Sequence, residues 1–203
     1  MVYRATESTE ARKAARRSAI LFAARDVVSS SDFSGLRVAR VARRAGVATG
    51  TVYRYFPSKT ELALEVFRHV SGHELAWLEE LAQGSGSVPE LIAGLVEAFV
   101  GRALAAPRLA HALLAEPLPP EVAAERLRFR RAFARVFQGL IERGIAAGDL
   151  PPQDPVLSAT WLIGGLSEAL YGPLVDAAAR EDLIPSLSAL AFRSLGLRHG
   201  VTL

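Results

Sequence analysis

The sequence predicts an essentially all-α protein with a short basic N-terminal part and a longer helical remainder. Apolar residues recur at helical spacing in block after block along the 203 residues. No stretch sustains the period-two alternation of β-branched and aromatic residues expected of a strand. Prolines and glycines fall near the points where these blocks begin and end. With 50% hydrophobic residues, the chain can fill a substantial core as one large domain or two small ones.

Residues 9–29 form the first predicted helix. Ile20, Leu21, Ala23, Ala24, Val27 and Val28 share one stripe, and Arg12, Lys13, Arg16, Arg17 and Arg25 stay outside it. The run SSSDFSG breaks the pattern. Residues 38–45 follow as a short second helix, with Val38, Val41, Ala42 and Ala45 inward and Arg40, Arg43 and Arg44 outward, closed by Gly46. A third helix covers residues 49–56. Pro57 ends it, and Ser58 with Glu61 has the spacing of a capping box that opens a fourth, running to about residue 81. After QGSGS, further helices are expected over residues 89–104, 107–115, 120–147, 155–178 and 182–195. No repeat, heptad array or low-complexity segment stands out.

Several function classes are excluded by composition. There is no cysteine, so disulfides, thiolate nucleophiles and cysteine-ligated zinc are ruled out, and nothing depends on an oxidising compartment. The first twenty residues carry charges throughout and do not read as a secretory signal. The apolar run ATWLIGGL is too short to cross a bilayer before Ser167 and Glu168 interrupt it. A cytoplasmic protein without a membrane span is the expectation. The net charge of +3 conceals an asymmetry: residues 1–60 hold twelve Lys or Arg against four Asp or Glu, and residues 61–203 hold twelve against seventeen. A basic head with a surplus of +8 on a remainder of −5 suggests a polyanion-binding module joined to a part with another task. Charge alone leaves open that these are simply solvated helix faces.

The stretch AGVATGTVYRYFPSK, residues 45–59, bears on that choice. Two short helices joined by a tight glycine turn, with a longer helix supporting them, make the helix-turn-helix arrangement that sets a recognition helix in the DNA major groove. Val52 and Phe56 stand one turn apart as the inward anchor. Gly50, Thr51 and Arg54 then project the other way, flanked by Tyr53 and Tyr55. Gly50 removes a side chain where the helix would approach a duplex. Thr51 suits base edges or a thymine methyl, and Arg54 suits guanine or phosphate. Tyr53 and Lys59 are placed for backbone phosphates. The competing view is a small surface helix whose polar groups face water. That view leaves unexplained why a helix of about two turns carries a glycine and two exposed tyrosines.

The segment VARVARRAGVATGTVYRYFPSKTEL resembles the DNA-binding signature of the TetR family of bacterial transcriptional regulators, and SAILFAARDVVSSSDF resembles the helix before it. The resemblance covers roughly residues 10–65. It implies a three-helix DNA-binding head over residues 1–60, and an effector-binding and dimerisation domain over residues 61–203. It also implies a homodimer on a palindromic operator, and repression relieved by a small molecule. Matched position by position, Thr49, Thr51, Tyr53, Arg54, Tyr55 and Lys59 fall on the family's DNA-contacting stretch. Two departures stand out. Arg37 replaces the usual threonine cap of the second helix, so either Ser34 caps from a shifted start or Arg37 serves as an extra phosphate contact. Asp32 replaces a usual glycine after the first helix, and aspartate tolerates the left-handed conformation better than most residues. Arg40 and Arg44 make the second helix unusually basic, which favours salt-sensitive binding.

The remainder shows no catalytic set, cofactor loop or nucleophile elbow, so neither an enzyme nor a cofactor is expected. His69 and His73 stand one turn apart near Glu65 and Glu74, a spacing compatible with a metal but more often incidental, and no metal site is assigned. An effector pocket is expected among the helices between residues 62 and 145, with Phe67, Trp77, Phe99, His111, Phe129, Phe133 and Phe137 as candidate lining. The last two helices are apolar on more than one face, and Gly164 and Gly165 allow close approach. Trp161, Leu162, Leu166, Leu170, Leu187 and Leu190 are candidates for a four-helix dimer interface, with an unusually buried monomer core as the competing reading. A reading from another class remains: a helical small-molecule-binding or catalytic protein whose basic head is only structural.

Overall fold

In the computed structural model, which describes residues 7–176 and 182–197, ten helices and no strand occur among the described residues. They are α1 (Glu7–Ser31), α2 (Val38–Arg44), α3 (Thr49–Tyr55), α4 (Lys59–Ala82), α5 (Val88–Ala105), α6 (Pro107–Leu114), α7 (Pro120–Ala147), α8 (Pro155–Ala169), α9 (Tyr171–Asp176) and α10 (Leu183–Ser194). None of the described helices is long and apolar enough to cross a membrane.

Local chemistry sets most of these boundaries. Ser58 accepts from Glu61 N at the start of α4 at 3.0 Å. At α5, Ser87 and Glu90 form a complete reciprocal capping box. The Asp154 carboxylate receives the N–H groups of Val156 and Leu157 at 2.9 and 3.0 Å. Proline occupies the first turn of α5, α6, α7 and α8, where its missing N–H costs least. Asp32 adopts φ +58°, so the left-handed turn after α1 forms without glycine. Ser34 does not start α2. The N-cap is Arg37, which supplies no side-chain cap, while the Ser34 N–H is bonded elsewhere.

The helix expected over residues 155–178 is broken in two. Pro173 has no N–H, and its ring crowds the preceding turn, so α8 stops at Ala169 and α9 restarts at Tyr171. The far end of the expected helix, residues 177–178, lies outside the described residues.

Two hydrophobic clusters share the interior. The first joins Ile20, Ala24, Val27 and Val28 of α1 to Val41, Val52 and Phe56. It continues through Leu62, Val66 and Phe67 of α4 and takes in Leu109, Ala112 and Val122 from α6 and α7. The second gathers Leu78 at the far end of α4 with α5, α7, α8 and α10, including Phe137, Leu140, Leu162, Leu166 and Leu187. α4 therefore belongs to both. Gly144 lets α7 pack closely on Leu150 and on Val88 of α5, since a Cβ there would lie 2.7 Å from the first and 2.9 Å from the second.

Polar bonds tie the first cluster across the chain. The buried Glu116 carboxylate accepts from Phe33 N at 2.8 Å and from Ser34 N at 2.7 Å, so the segment after α6 holds the turn between α1 and α2. Arg108 donates to Ser30 O at 3.2 Å. Glu65 on α4 pairs with Arg17 of α1 and with Arg68, and Arg68 reaches Glu125 of α7 at 3.1 Å. Burial by itself pushes the Glu65 carboxyl up, but hydrogen bonds and charge from Arg17 and Arg68 more than offset it and hold it below its ordinary 4.5.

A carboxylate with a depressed folded pKa stabilises the fold above its unfolded pKa, and that contribution is lost as pH falls through the folded pKa. Glu65→Gln should therefore lower the melting temperature at neutral pH, and its further loss on acidification below about pH 4.5 should be shallower than that of the wild type. Melting curves from pH 7 to pH 3 check this. Parallel pH profiles for the two proteins would contradict it.

Candidate nucleic-acid interface and ligand cavity

The turn from α2 to α3 depends on Gly46, whose φ of +64° lies where a side chain is strained. Val47 N–H returns to Ala42 O at 3.0 Å, closing α2 and setting the direction of α3. On α3, Val52 is buried, as is Phe56 just past its end. That anchoring turns the opposite face to solvent. Thr49, Gly50, Tyr53 and Arg54 are exposed, Thr51 and Tyr55 are half-buried, and Lys59 is exposed at the first position of α4. Tyr53 keeps 46% of its surface accessible. A Cβ added to Gly50 would meet nothing within 4 Å, so nothing in the free protein requires glycine there.

The three arginines expected to face DNA at α2 and its N-cap, Arg37, Arg40 and Arg44, differ. Arg37 is exposed at the N-cap. Arg40 donates to Ser30 Oγ at 3.1 Å. Arg44 makes a forked pair with Asp26 of α1 at 3.0 and 2.9 Å, so part of the basic surplus is spent inside the head. Sequence reasoning missed Arg17, whose guanidinium lies 4.9 Å from the centre of the Phe56 ring while pairing with Glu65. It clamps α1 over the end of α3, and partners this far apart in the chain leave no local signal.

A cavity of about 110 Å³ opens among α4, α5, α6, α7 and α8. Phe67, Phe129, Phe133 and Phe99 line it, in ring contact in that order at 5.9 to 6.4 Å. The other three expected lining residues stand elsewhere. Trp77 lies under the Arg102 guanidinium at 4.8 Å, the His111 ring sits 6.1 Å from Tyr171, and Phe137 is sealed in the second cluster. The polar lining consists of Ser71, Glu74, Arg102, Arg126, Arg130 and Ser167. Glu74 and Arg102 form an ion pair, and this bond keeps the Arg102 pKa above its ordinary value despite burial. Arg126 donates through Nη2 to the carbonyls of Ala112 and Glu116 at 3.1 and 2.7 Å. Burial, then the neighbouring charge of Arg130, lowers its pKa, against the pull of Glu116.

His69 packs edge-on against Phe22 at 5.3 Å, and no cluster of three or more metal-binding side chains occurs among the described residues. Of the residues expected at a dimer interface, Leu162, Leu166, Leu170 and Leu187 are consumed inside the single chain. Trp161 and Leu190 are exposed, at 55% and 47%, and Val156 and Leu157 add a further apolar exposure of 56% and 67% on α8. An α8 apolar all round thus spends one face on the core and leaves the other uncovered.

Residues 20–66 match the model of the bacterial regulatory proteins of the tetR family. The fatty acid metabolism regulator protein of Bacillus subtilis is 22% identical over 81% of this chain and 86% of that protein. The transcriptional repressor KstR of Mycolicibacterium smegmatis is 47% identical over 47 residues, 23% of each chain. Among solved structures, FadR from Bacillus subtilis in complex with stearoyl-CoA superposes with a TM-score of 0.76 at 20% identity, over 90% of this chain and 99% of that one. At that identity the likeness speaks to the fold.

The open space at Gly50 sets up a discriminating substitution. Alanine favours a helix by about 1 kcal/mol over glycine, so Gly50→Ala should melt at or above the wild-type temperature. If α3 enters a groove, the same change should weaken DNA binding about tenfold or more. Melting curves beside fluorescence anisotropy on DNA fragments measure both, and unchanged DNA affinity would count against close approach at Gly50.

Proposed function

Taking as premise that this chain belongs to the TetR family of bacterial transcriptional regulators, we propose that it is a ligand-responsive repressor that binds a palindromic operator as a homodimer. The observation that carries this reading is the α3 surface, where Val52 and Phe56 are locked inward and Gly50, Tyr53 and Arg54 face solvent beside Lys59. In this reading residues 1–60 are the DNA-binding head and residues 61–203 bind the effector and dimerise. Tyr53 and Lys59 take phosphates, with Arg37 and Arg40 at the margin. Thr51 and Arg54 read base edges, supported by Thr49 and Tyr55. Arg44, neutralised by its forked pair with Asp26, fixes α2 against α1 and so orients the cations around it.

The uncovered apolar face of Val156, Leu157, Trp161 and Leu190 is the proposed dimer contact. Two such faces brought together bury surface that is costly to leave in water, and place two heads on adjacent half-sites. The phenylalanine-lined cavity is the proposed effector site. Its apolar lining suits an acyl chain, in keeping with the fatty acid metabolism regulator and with the FadR structure that holds stearoyl-CoA. An effector that binds better when the heads are wrongly spaced lowers operator affinity by the difference in binding free energy.

Gel shifts on DNA adjoining the protein's own gene, paired with sedimentation, test this reading. The wild type should sediment as a dimer and give a shift that depends on sequence and weakens with salt. Leu157→Glu combined with Trp161→Glu should give a folded monomer that has lost the specific shift. A wild-type monomer, or a shift indifferent to DNA sequence, would contradict the proposal.

A further inference from the structure

The charge in the cavity is out of balance. Glu74 neutralises Arg102, but Arg126 and Arg130, one turn apart on α7, also line the same space. The Arg126 bonds go to two backbone carbonyls and to no carboxylate. Its Nε is buried with no hydrogen-bond partner. The nearest acid, Glu116, has both carboxylate oxygens committed to Phe33 N and Ser34 N. Arg126, half-buried at a mostly apolar wall with no carboxylate partner, holds its charge at a cost that a bound anion relieves, while Arg130 beside it stays open to solvent.

We propose that the cavity is built for an amphipathic anion, an apolar chain ending in a carboxylate or phosphate, and that Arg126, assisted by Arg130, receives the charged end. The proposal rests on reading the cavity as the effector site. The phenylalanines take the apolar part, and the Arg126 guanidinium, which has no carboxylate partner, lines the same cavity. The same guanidinium holds the Glu116 carbonyl, and Glu116 holds the turn between α1 and α2 through Phe33 and Ser34. An anion that draws Arg126 toward itself therefore acts on the segment that positions the DNA-binding head. This gives an anionic ligand a route to the head that a neutral ligand of the same shape lacks.

Calorimetric titration of the full chain with decanoate, decanoyl-coenzyme A and 1-decanol tests the proposal. At least one of the two anions should bind about tenfold or more tightly than the neutral alcohol, the worth of a charge-assisted hydrogen bond. Which anion gains separates a free acid from a thioester of a phosphorylated carrier. Arg126→Gln should bring anion and alcohol to similar affinity by weakening the anion alone. Arg130→Gln, at an exposed residue that holds no backbone carbonyl, should narrow the preference severalfold and covers the case in which the Arg126 variant fails to fold. If decanol binds the wild type as tightly as both anions, or if the preference survives both substitutions, the proposal is overturned while the cavity remains a ligand site. If none of the three binds, the effector-site reading falls and takes this one with it.

Discussion

The arrangement depends on the head sharing its core with the rest of the chain. Val52, Phe56 and the apolar stripe of α1 pack with Val38 and Val41 of α2 in one cluster that is completed by Leu62, Val66 and Phe67 of α4 and by Leu109, Ala112 and Val122 beyond it. The buried Glu116 carboxylate completes that closure by taking two backbone N–H groups from the turn after α1. Leaving a buried N–H without an acceptor costs about 1–3 kcal/mol, a large share of the stability of any single domain. The α3 face is thus held in place by residues that lie some sixty positions further along the chain as much as by its neighbours. A change around α6 reaches it through packing and through this carboxylate.

Charge is distributed with the same economy. The basic surplus of the first sixty residues is only partly available to a ligand, because Arg17 is committed to Glu65 and Phe56, and Arg44 to Asp26. Those commitments orient the helices that carry the remaining cations. Across α1, α4 and α7 the run Arg17, Glu65, Arg68, Glu125, Arg128 is continuous, and the Glu125 carboxylate within it is nearly buried. Exposed pairs are individually weak. Here they matter as alignment between helices that also share a core.

Much of the fold was legible in the sequence because its boundaries are set locally. Pro107, Pro120, Ser58, Gly46 and Asp32 act within a turn of themselves, and each stands where its chemistry predicts. The break at Leu170 was equally local and was passed over, since Pro173 lay inside an apolar run that reads as one helix. Contacts between distant segments were not legible. Nothing near Glu116 in sequence announces Phe33 and Ser34, and nothing near Arg126 announces a cavity. The apolar character of α8 was plain, but a helix apolar all round does not say which face meets the core. Leu162 and Leu166 therefore could not be told apart from Leu157 and Trp161 until the structure placed them.

Native-state hydrogen exchange on the full chain tests most directly whether the head and the segment around α6 form one cooperative unit. The account predicts that the slow amides of Val27, Val52 and Val66 open with the same free energy as those of Ala112 and Leu113, and that Glu116→Gln lowers all of them together. A head whose amides open independently of α6, with the substitution felt on one side only, would contradict it.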